Sequence, residues 1–261
     1  MNIFLKLTLI QFIFVVSIFA NGVPLEKVSL QLNWKHQFEF AGFYMAKEKG
    51  FYKDVGIDVN ISEYENGMEL VKKVTRDEHA FAVGYSSIIL DETNTNDVVL
   101  LSAIFQSSPH VLVSLKSSGI KSIKDFKNKK IMIDPEAIKS AAFISMLRSN
   151  GISFGDMTIQ KPTFEIDKLL NGETDLKSFY YSNETYALDK RGIAYDVWDP
   201  KNYGFDFYND LLFTSKKELK NNPQMVENFR SASLKGWKYA FDHIDETVAM
   251  ILLKYNTQNK S

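Results

Sequence analysis

The 261-residue chain carries 31 Lys and Arg against 32 Asp and Glu, a formal net charge of −1, and no cysteine. Near-neutral charge gives no electrostatic footprint for nucleic acid or an anionic membrane surface. The lack of thiols removes disulfides, thiolate metal sites, cysteine nucleophiles and a lipid-modified amino-terminal cysteine, so the fold must stand on its apolar core.

Lys6 precedes an apolar run over 7–20, and Asn21-Gly22 follow. A bilayer span needs about 20 apolar residues, so the run reads as a secretory signal peptide over 1–20, with an uncleaved anchor as the alternative. No later stretch is long enough to cross a bilayer. The expected location is therefore periplasmic or secreted.

Val28, Leu30 and Leu32 alternate with Ser29, Gln31 and Asn33, the period of a strand with one side buried, and the strand runs into Asn33-Trp34. Phe40, Phe43, Tyr44 and Lys47 fall at helical spacing from Glu39 onward. Gly50 stands where a left-handed residue ends a helix, and Ile57 and Val59 open the next strand. In such β-loop-α-β units ligands bind beyond the carboxyl ends of the strands, which places Trp34, His36 and Phe38 at a candidate site.

Met68, Val71 and Val74 mark a further helix, followed by a buried strand over 81–84, a helical turn over 87–91 and strands over 98–104 and 111–115. The polar segment Lys116-Ser117-Ser118-Gly119 reads as a linker. Beyond it the pattern gives a strand over 130–133, an amphipathic helix over 137–148 ending at Asn150-Gly151, a strand over 157–160, a helix around 164–170 and a strand over 176–180. The segment 211–214 reads as a return strand, and helices over 223–241 and 245–255 close the chain. This order implies two α/β lobes, one from 21–116 plus 211–261 and one from 117–210, with a ligand cleft between them and hinge closure as the natural motion.

The segment LNW-x(5)-FAGFYMAKEKGFYKDVGIDV over 32–59 closely resembles the opening of periplasmic substrate-binding proteins related to thiamine-pyrimidine synthase, a group that includes binding proteins for formylaminopyrimidine and sulfonates. Tyr180-Tyr181-Ser182-Asn183-Glu184 resembles the family's Tyr-x-x-Asn-Glu-Pro, with Thr185 where proline is usual. Asn202 to Tyr208 and Leu234 to Ala240 resemble two later segments, so the likeness covers roughly 28–255. It implies an α/β, two-lobed, type II-like periplasmic-binding-protein fold with the ligand in the inter-lobe cleft. It also implies a monomer that hands a small molecule to an ABC permease or signals through a carboxyl-terminal module.

Trp34 reads as a stacking plate for a flat heterocycle, Asn33 as a source of amide hydrogen bonds and Phe38 as a second wall; core capping is the plainer reading of Trp34. Tyr85 and Ser86 follow Gly84 where a helix start offers backbone N–H groups and hydroxyls, although Ser86 also suits a simple N-cap. Ser107 sits at a strand end, with turn chemistry as its plainer role. Glu136 is a first-turn dipole partner or, as the resemblance favours, a carboxylate directed into the cleft. Asn183 and Glu184 can read the donor-acceptor edge of an aminopyrimidine. Tyr181, Asp206 and Tyr208 are further candidates on that face. The four histidines have no spacing that suggests a metal site.

The resembling group also contains the synthase, which consumes pyridoxal phosphate with iron. Its cofactor lysine would fall at Ser86, two residues after Gly84, and its donor histidine at Leu90. Neither side chain can do that chemistry, and the synthase's iron-binding cysteines are missing. The sequence therefore reads as a non-enzymatic solute-binding protein without a cofactor, with the synthase as the alternative.

Overall fold

A computed structural model describes residues 24–65, 68–89, 97–163 and 165–259. The segment read as a signal peptide and Leu90 lie outside the described residues, as does the side chain of Glu136. Among the described residues no helix is long and apolar enough to cross a membrane.

The chain begins with β1 (Glu26–Gln31), α1 (Ala41–Glu48), β2 (Ile57–Ser62), α2 (Leu70–Arg76), β3 (Ala80–Gly84), β4 (Val98–Phe105) and β5 (His110–Leu115). It continues through β6 (Lys130–Met132), α3 (Pro135–Ile138), α4 (Ala141–Ser149), β7 (Thr158–Gln160), α5 (Asp167–Leu170), β8 (Leu176–Tyr180), α6 (Glu184–Lys190) and β9 (Tyr195–Trp198). It ends with β10 (Asn209–Ser215), α7 (Lys216–Asn221), α8 (Pro223–Asp242) and α9 (Ile244–Lys254). The strands form two five-stranded sheets, in the orders β2-β1-β3-β10-β4 and β7-β6-β8-β5-β9.

By internal contacts the chain divides into two compact units. The first takes in residues 24–29, His36–Ile61 and 224–259. Here α1 meets α8 at two glycines. A Cβ on Gly236 would stand 2.1 Å from the carbonyl oxygen of Gly42, and a Cβ on Gly42 would stand 2.1 Å from the Trp237 ring. Tyr52 is buried beside this crossing, stacked on Phe229 at 5.0 Å and hydrogen-bonded to Ser233 Oγ at 2.8 Å. The phenolic group thus has the partner that a buried hydroxyl requires.

The second unit takes in Leu30–Lys35 and Ser62–Pro223. Every residue of β3 and of β10 is buried, and β10 runs antiparallel to both β3 and β4. Strands covered on both faces lose the alternating pattern and read as unbroken apolar runs. In the second sheet β6 is parallel to β7 and β8, while β5 is antiparallel to β8 and β9. Leu112 packs on one face of this sheet, with Ile131, Phe143 and Leu176, and Val111 and Val113 pack on the other, with Leu169 and Phe179.

Two sequence expectations need correction, and one strand was not anticipated. The run over 111–115, read with the first lobe, belongs to the second sheet, so the chain changes sheets between β4 and β5, ahead of the 116–119 linker. A run that is apolar on both faces says strand but carries no sign of which sheet will pair with it. The helix expected over 137–148 is two, because Ser140 is extended at φ −60° and ψ 121°. The strand β9 was not marked by pattern at all. Tyr195 to Val197 are only half-buried, and Trp198 earns its place by donating from Nε1 to the buried Ser114 Oγ at 2.9 Å.

The crossing of α1 and α8 gives a direct test. Gly236→Ala should lower stability by about 1–3 kcal/mol, because the added methyl meets a backbone oxygen that can yield only if a helix moves. Urea unfolding of the two proteins would measure this, and unchanged stability would mean the helices do not approach so closely.

Candidate functional site

The end of β1 is fixed to the end of β2 by backbone and side-chain bonds. Leu32 N–H donates to Ser62 O at 2.9 Å, Tyr64 N–H to Trp34 O at 3.0 Å, and the Gln31 amide to Ser62 O and Glu63 O at 3.1 and 2.9 Å. This lays the Trp34 and Tyr64 rings nearly parallel, 13° apart with centroids 6.5 Å apart. Both line a cavity of about 300 Å³ within the second unit. Leu70, Val71 and Ile88 add apolar surface, and Asn33, Tyr85, Ser87, Asp134 and Lys139 bring polar groups. A small, largely apolar cavity with a few placed polar atoms is the usual character of a small-molecule site.

Asn33 is the most constrained of these residues. It is 1% exposed, and its Nδ2 donates to Asp210 Oδ1 at 3.0 Å. The same Asp210 oxygen accepts from Tyr180 OH at 3.2 Å and from Asn209 Nδ2 at 3.3 Å. Tyr85 OH donates to the Asn33 carbonyl at 3.3 Å. The Asn33 side-chain Oδ1 is buried and has no hydrogen-bond partner. A buried acceptor left unmet costs about 1–3 kcal/mol.

Behind Tyr85 lies His110, the first residue of β5. Its ring faces Tyr85 at 5.3 Å and Phe143 at 6.4 Å, and meets Tyr180 edge-on at 4.4 Å. Burial among these rings pushes its pKa down to about 4, so the imidazole is neutral at neutral pH.

Of the residues expected from sequence, Asn33, Trp34 and Tyr85 line the cavity. Ser86 does not, and its neighbour Ser87 does. Ser107 donates to Asp206 Oδ1 at 2.6 Å, which joins two candidates to each other outside the cavity wall. Glu184 accepts from the Tyr180 N–H at 2.8 Å and from Asn183 Nδ2 at 3.2 Å, so this pair shapes the turn into α6 and stands outside the wall. Tyr181 and Tyr208 are more than half exposed. Phe38 is an exposed residue of the first unit, as part of the 3-10 turn Phe38–Phe40. His36 is engaged there with Tyr44 OH at 2.9 Å and with the Tyr255 ring. Glu136 lies in α3. Sequence reasoning missed Tyr64, His110 and Asp210. Tyr64 was the one within reach, as the aromatic that follows β2 beside Trp34.

The family described as NMT1/THI5 like matches residues 37–247. The chain belongs to this family. It is 26% identical over 198 residues to a Haemophilus influenzae protein named for thiamine biosynthesis, a match that covers 74% of this chain and 62% of that one. The chain thus spans less than two thirds of that relative. It is 21% identical over 244 residues to the formylaminopyrimidine-binding protein of Halalkalibacterium halodurans, covering 92% of this chain and 74% of that one. The periplasmic aliphatic sulphonate-binding protein SsuA of Escherichia coli superposes with a TM-score of 0.68 at 13% identity, over 87% of this chain and 78% of that one. The fold is accordingly that of the periplasmic binding proteins, as the 32–59 motif implied.

The half-buried histidine, enclosed by Tyr85, Phe143 and Tyr180, makes stability depend on pH. His110 binds its proton far more weakly in the native state than in the unfolded chain, where its pKa is about 6.5, so the unfolded state takes up the extra proton. Stability should be complete above about pH 6.5 and fall as the pH drops toward 4. His110→Phe should remove part of that acid-side loss, read as the difference in urea midpoint between pH 7.5 and pH 5. An equal loss in both proteins would place the histidine in water.

Proposed function

We propose that this chain is an extracytoplasmic solute-binding protein that captures a small planar nitrogen heterocycle, of the thiamine-pyrimidine precursor class, in the cavity walled by Trp34 and Tyr64. The observation that carries this reading is the flat aromatic wall of Trp34 and Tyr64 on a small, largely apolar cavity that Asn33, Tyr85 and Ser87 also line. The relatives' names support the class: one binds formylaminopyrimidine and another is named for thiamine biosynthesis. In this proposal the protein acts as a monomer outside the cytoplasm, with strands β1–β4 and β10 in one lobe and β5–β9 in the other. It delivers its ligand to an ABC importer or reports it to a signalling module.

The synthase reading fits the residues less well. A lysine that carries pyridoxal phosphate needs a desolvated amine in the pocket. The lysines of the cavity wall, Lys72 and Lys139, are exposed, and Lys72 pairs with Glu69 at 2.7 Å. Ser86 stands at the position the family resemblance assigns to the cofactor lysine. No group of three or more His, Cys, Asp or Glu among the described residues could hold a metal ion. These residues fit neither the cofactor nor iron.

The test is a thermal-shift and calorimetric panel of 4-amino-5-hydroxymethyl-2-methylpyrimidine, its N-formyl derivative and taurine. A pyrimidine held at 100 times its dissociation constant should add about 2.7 kcal/mol of stability, and taurine should add less. Trp34→Ala should weaken pyrimidine binding by about 1–3 kcal/mol without unfolding the protein, as loss of a stacking surface does. Binding of taurine alone, or full pyrimidine affinity in the Trp34 variant, would sink this assignment.

A further inference from the structure

We propose that Met68 is an oxidation site on the cavity wall: hydrogen peroxide converts its thioether to the sulfoxide, and the polar product weakens the hold on an aromatic ligand. The inference rests on the reading of the cavity as a ligand site, and adds to it a chemical means by which that site is turned down.

The chain has no cysteine and eight methionines, so its sulfur chemistry belongs to thioethers. Met1 lies outside the described residues. Five others are buried, Met45 and Met146 at 0% exposure and Met132, Met157 and Met225 at 6%, 8% and 7%. The Met132 sulfur is also engaged, accepting from Lys177 Nζ at 3.2 Å and from Thr163 Oγ1 at 3.5 Å. Among the described methionines only Met68 and Met250 are half-buried. Met250 belongs to α9 in the first unit. Met68 stands two residues ahead of α2 in the second unit and lines the cavity with Trp34 and Tyr64.

A cavity of about 300 Å³ admits a peroxide, a molecule little larger than water with its share of about 30 Å³. The sulfur lone pair attacks one peroxide oxygen, so that an S–O bond forms and the O–O bond breaks. The attached oxygen gives up its proton to the departing hydroxide, which leaves as water. Sulfur loses two electrons and the peroxide gains them. The product replaces a flexible apolar side chain by one that carries a strong hydrogen-bond acceptor. Beside Leu70, Val71 and Ile88, that oxygen keeps its water in the unliganded protein and must shed it when a flat ring covers the wall. Binding therefore weakens. A bound ring in turn shields the sulfur. Methionine sulfoxide reductases return the thioether with a dithiol as reductant, and a chain without cysteine has no disulfide for the dithiol to break.

The experiment treats the full chain with hydrogen peroxide and follows each methionine by peptide mass spectrometry. Without ligand, Met68 should take up oxygen roughly tenfold or more faster than the five buried methionines. Saturating 4-amino-5-hydroxymethyl-2-methylpyrimidine should slow Met68 by roughly tenfold or more and leave Met250 at its former rate. By calorimetry, the oxidised wild type should bind the pyrimidine roughly tenfold more weakly, and reductase treatment should restore its affinity. Met68→Leu should bind equally before and after peroxide, whatever its starting affinity. Oxidation of Met68 at the pace of the buried methionines overturns the proposal. So does an unchanged Met68 rate under saturating pyrimidine, full affinity in the oxidised wild type, or an equal loss in oxidised Met68→Leu. If the untreated wild type binds no pyrimidine, the ligand assignment fails and the claim of weakened binding falls with it. The rates without ligand then decide by themselves whether Met68 is the oxidation site.

Discussion

A single buried carboxylate oxygen holds together the ends of three strands. Asp210 Oδ1, at the start of β10, accepts from Asn33 just beyond β1, from Tyr180 at the end of β8 and from its neighbour Asn209. Asn33, Asn209 and Asp210 are all nearly inaccessible to water. Polar atoms so placed must pair with one another or lose the hydrogen bonds they had in the unfolded chain. The geometry of the cavity follows from that pairing. Asn33 is anchored by its nitrogen, Trp34 comes next in the chain, and Tyr85 reaches the Asn33 carbonyl from the end of β3.

The chemistry of the cavity is correspondingly spare. Its lining includes aromatic and aliphatic side chains together with the exposed Lys72, which pairs with Glu69 in solvent. Exposed pairs of this kind contribute little to stability or to binding. In the proposed reading, discrimination comes from shape and from the few polar groups of the wall. The neutral His110, clasped by Tyr85, Phe143 and Tyr180, adds rigidity behind the wall without adding charge at neutral pH. A stiff, preformed wall lowers the ordering cost of binding, which accords with the proposed capture of a small solute.

Much of the fold was legible in the chain. The alternation from Val28 to Asn33, the all-apolar run of β3 and the helical spacing in α8 each reflect a local rule in which side-chain period matches the element that buries it. The long amino-terminal motif and the later Tyr-x-x-Asn-Glu segment carried the family. Short or doubly covered elements were harder. The residues of β5 declare a strand but not its sheet, and β9 has no period to declare. The site was legible where a residue follows directly from a strand end, as Asn33, Trp34 and Tyr85 do. It was not where a side chain's duty depends on its neighbours. Glu184 is a carboxylate of the right kind, but the Tyr180 N–H and the Asn183 amide claim it locally.

The sequence by itself determined the α/β class, the family and the loop from which the cavity's first wall is built, because these depend on local period and on contiguous motifs. Only the tertiary structure decided that β5 joins the second sheet, that Tyr64 lies nearly parallel to Trp34, and that Asp210 accepts from the Asn33 amide. Those facts rest on contacts between residues 30 to 177 positions apart. Hydrogen-bond partners at that separation are chosen by burial and by the exclusion of water, and no local pattern encodes them.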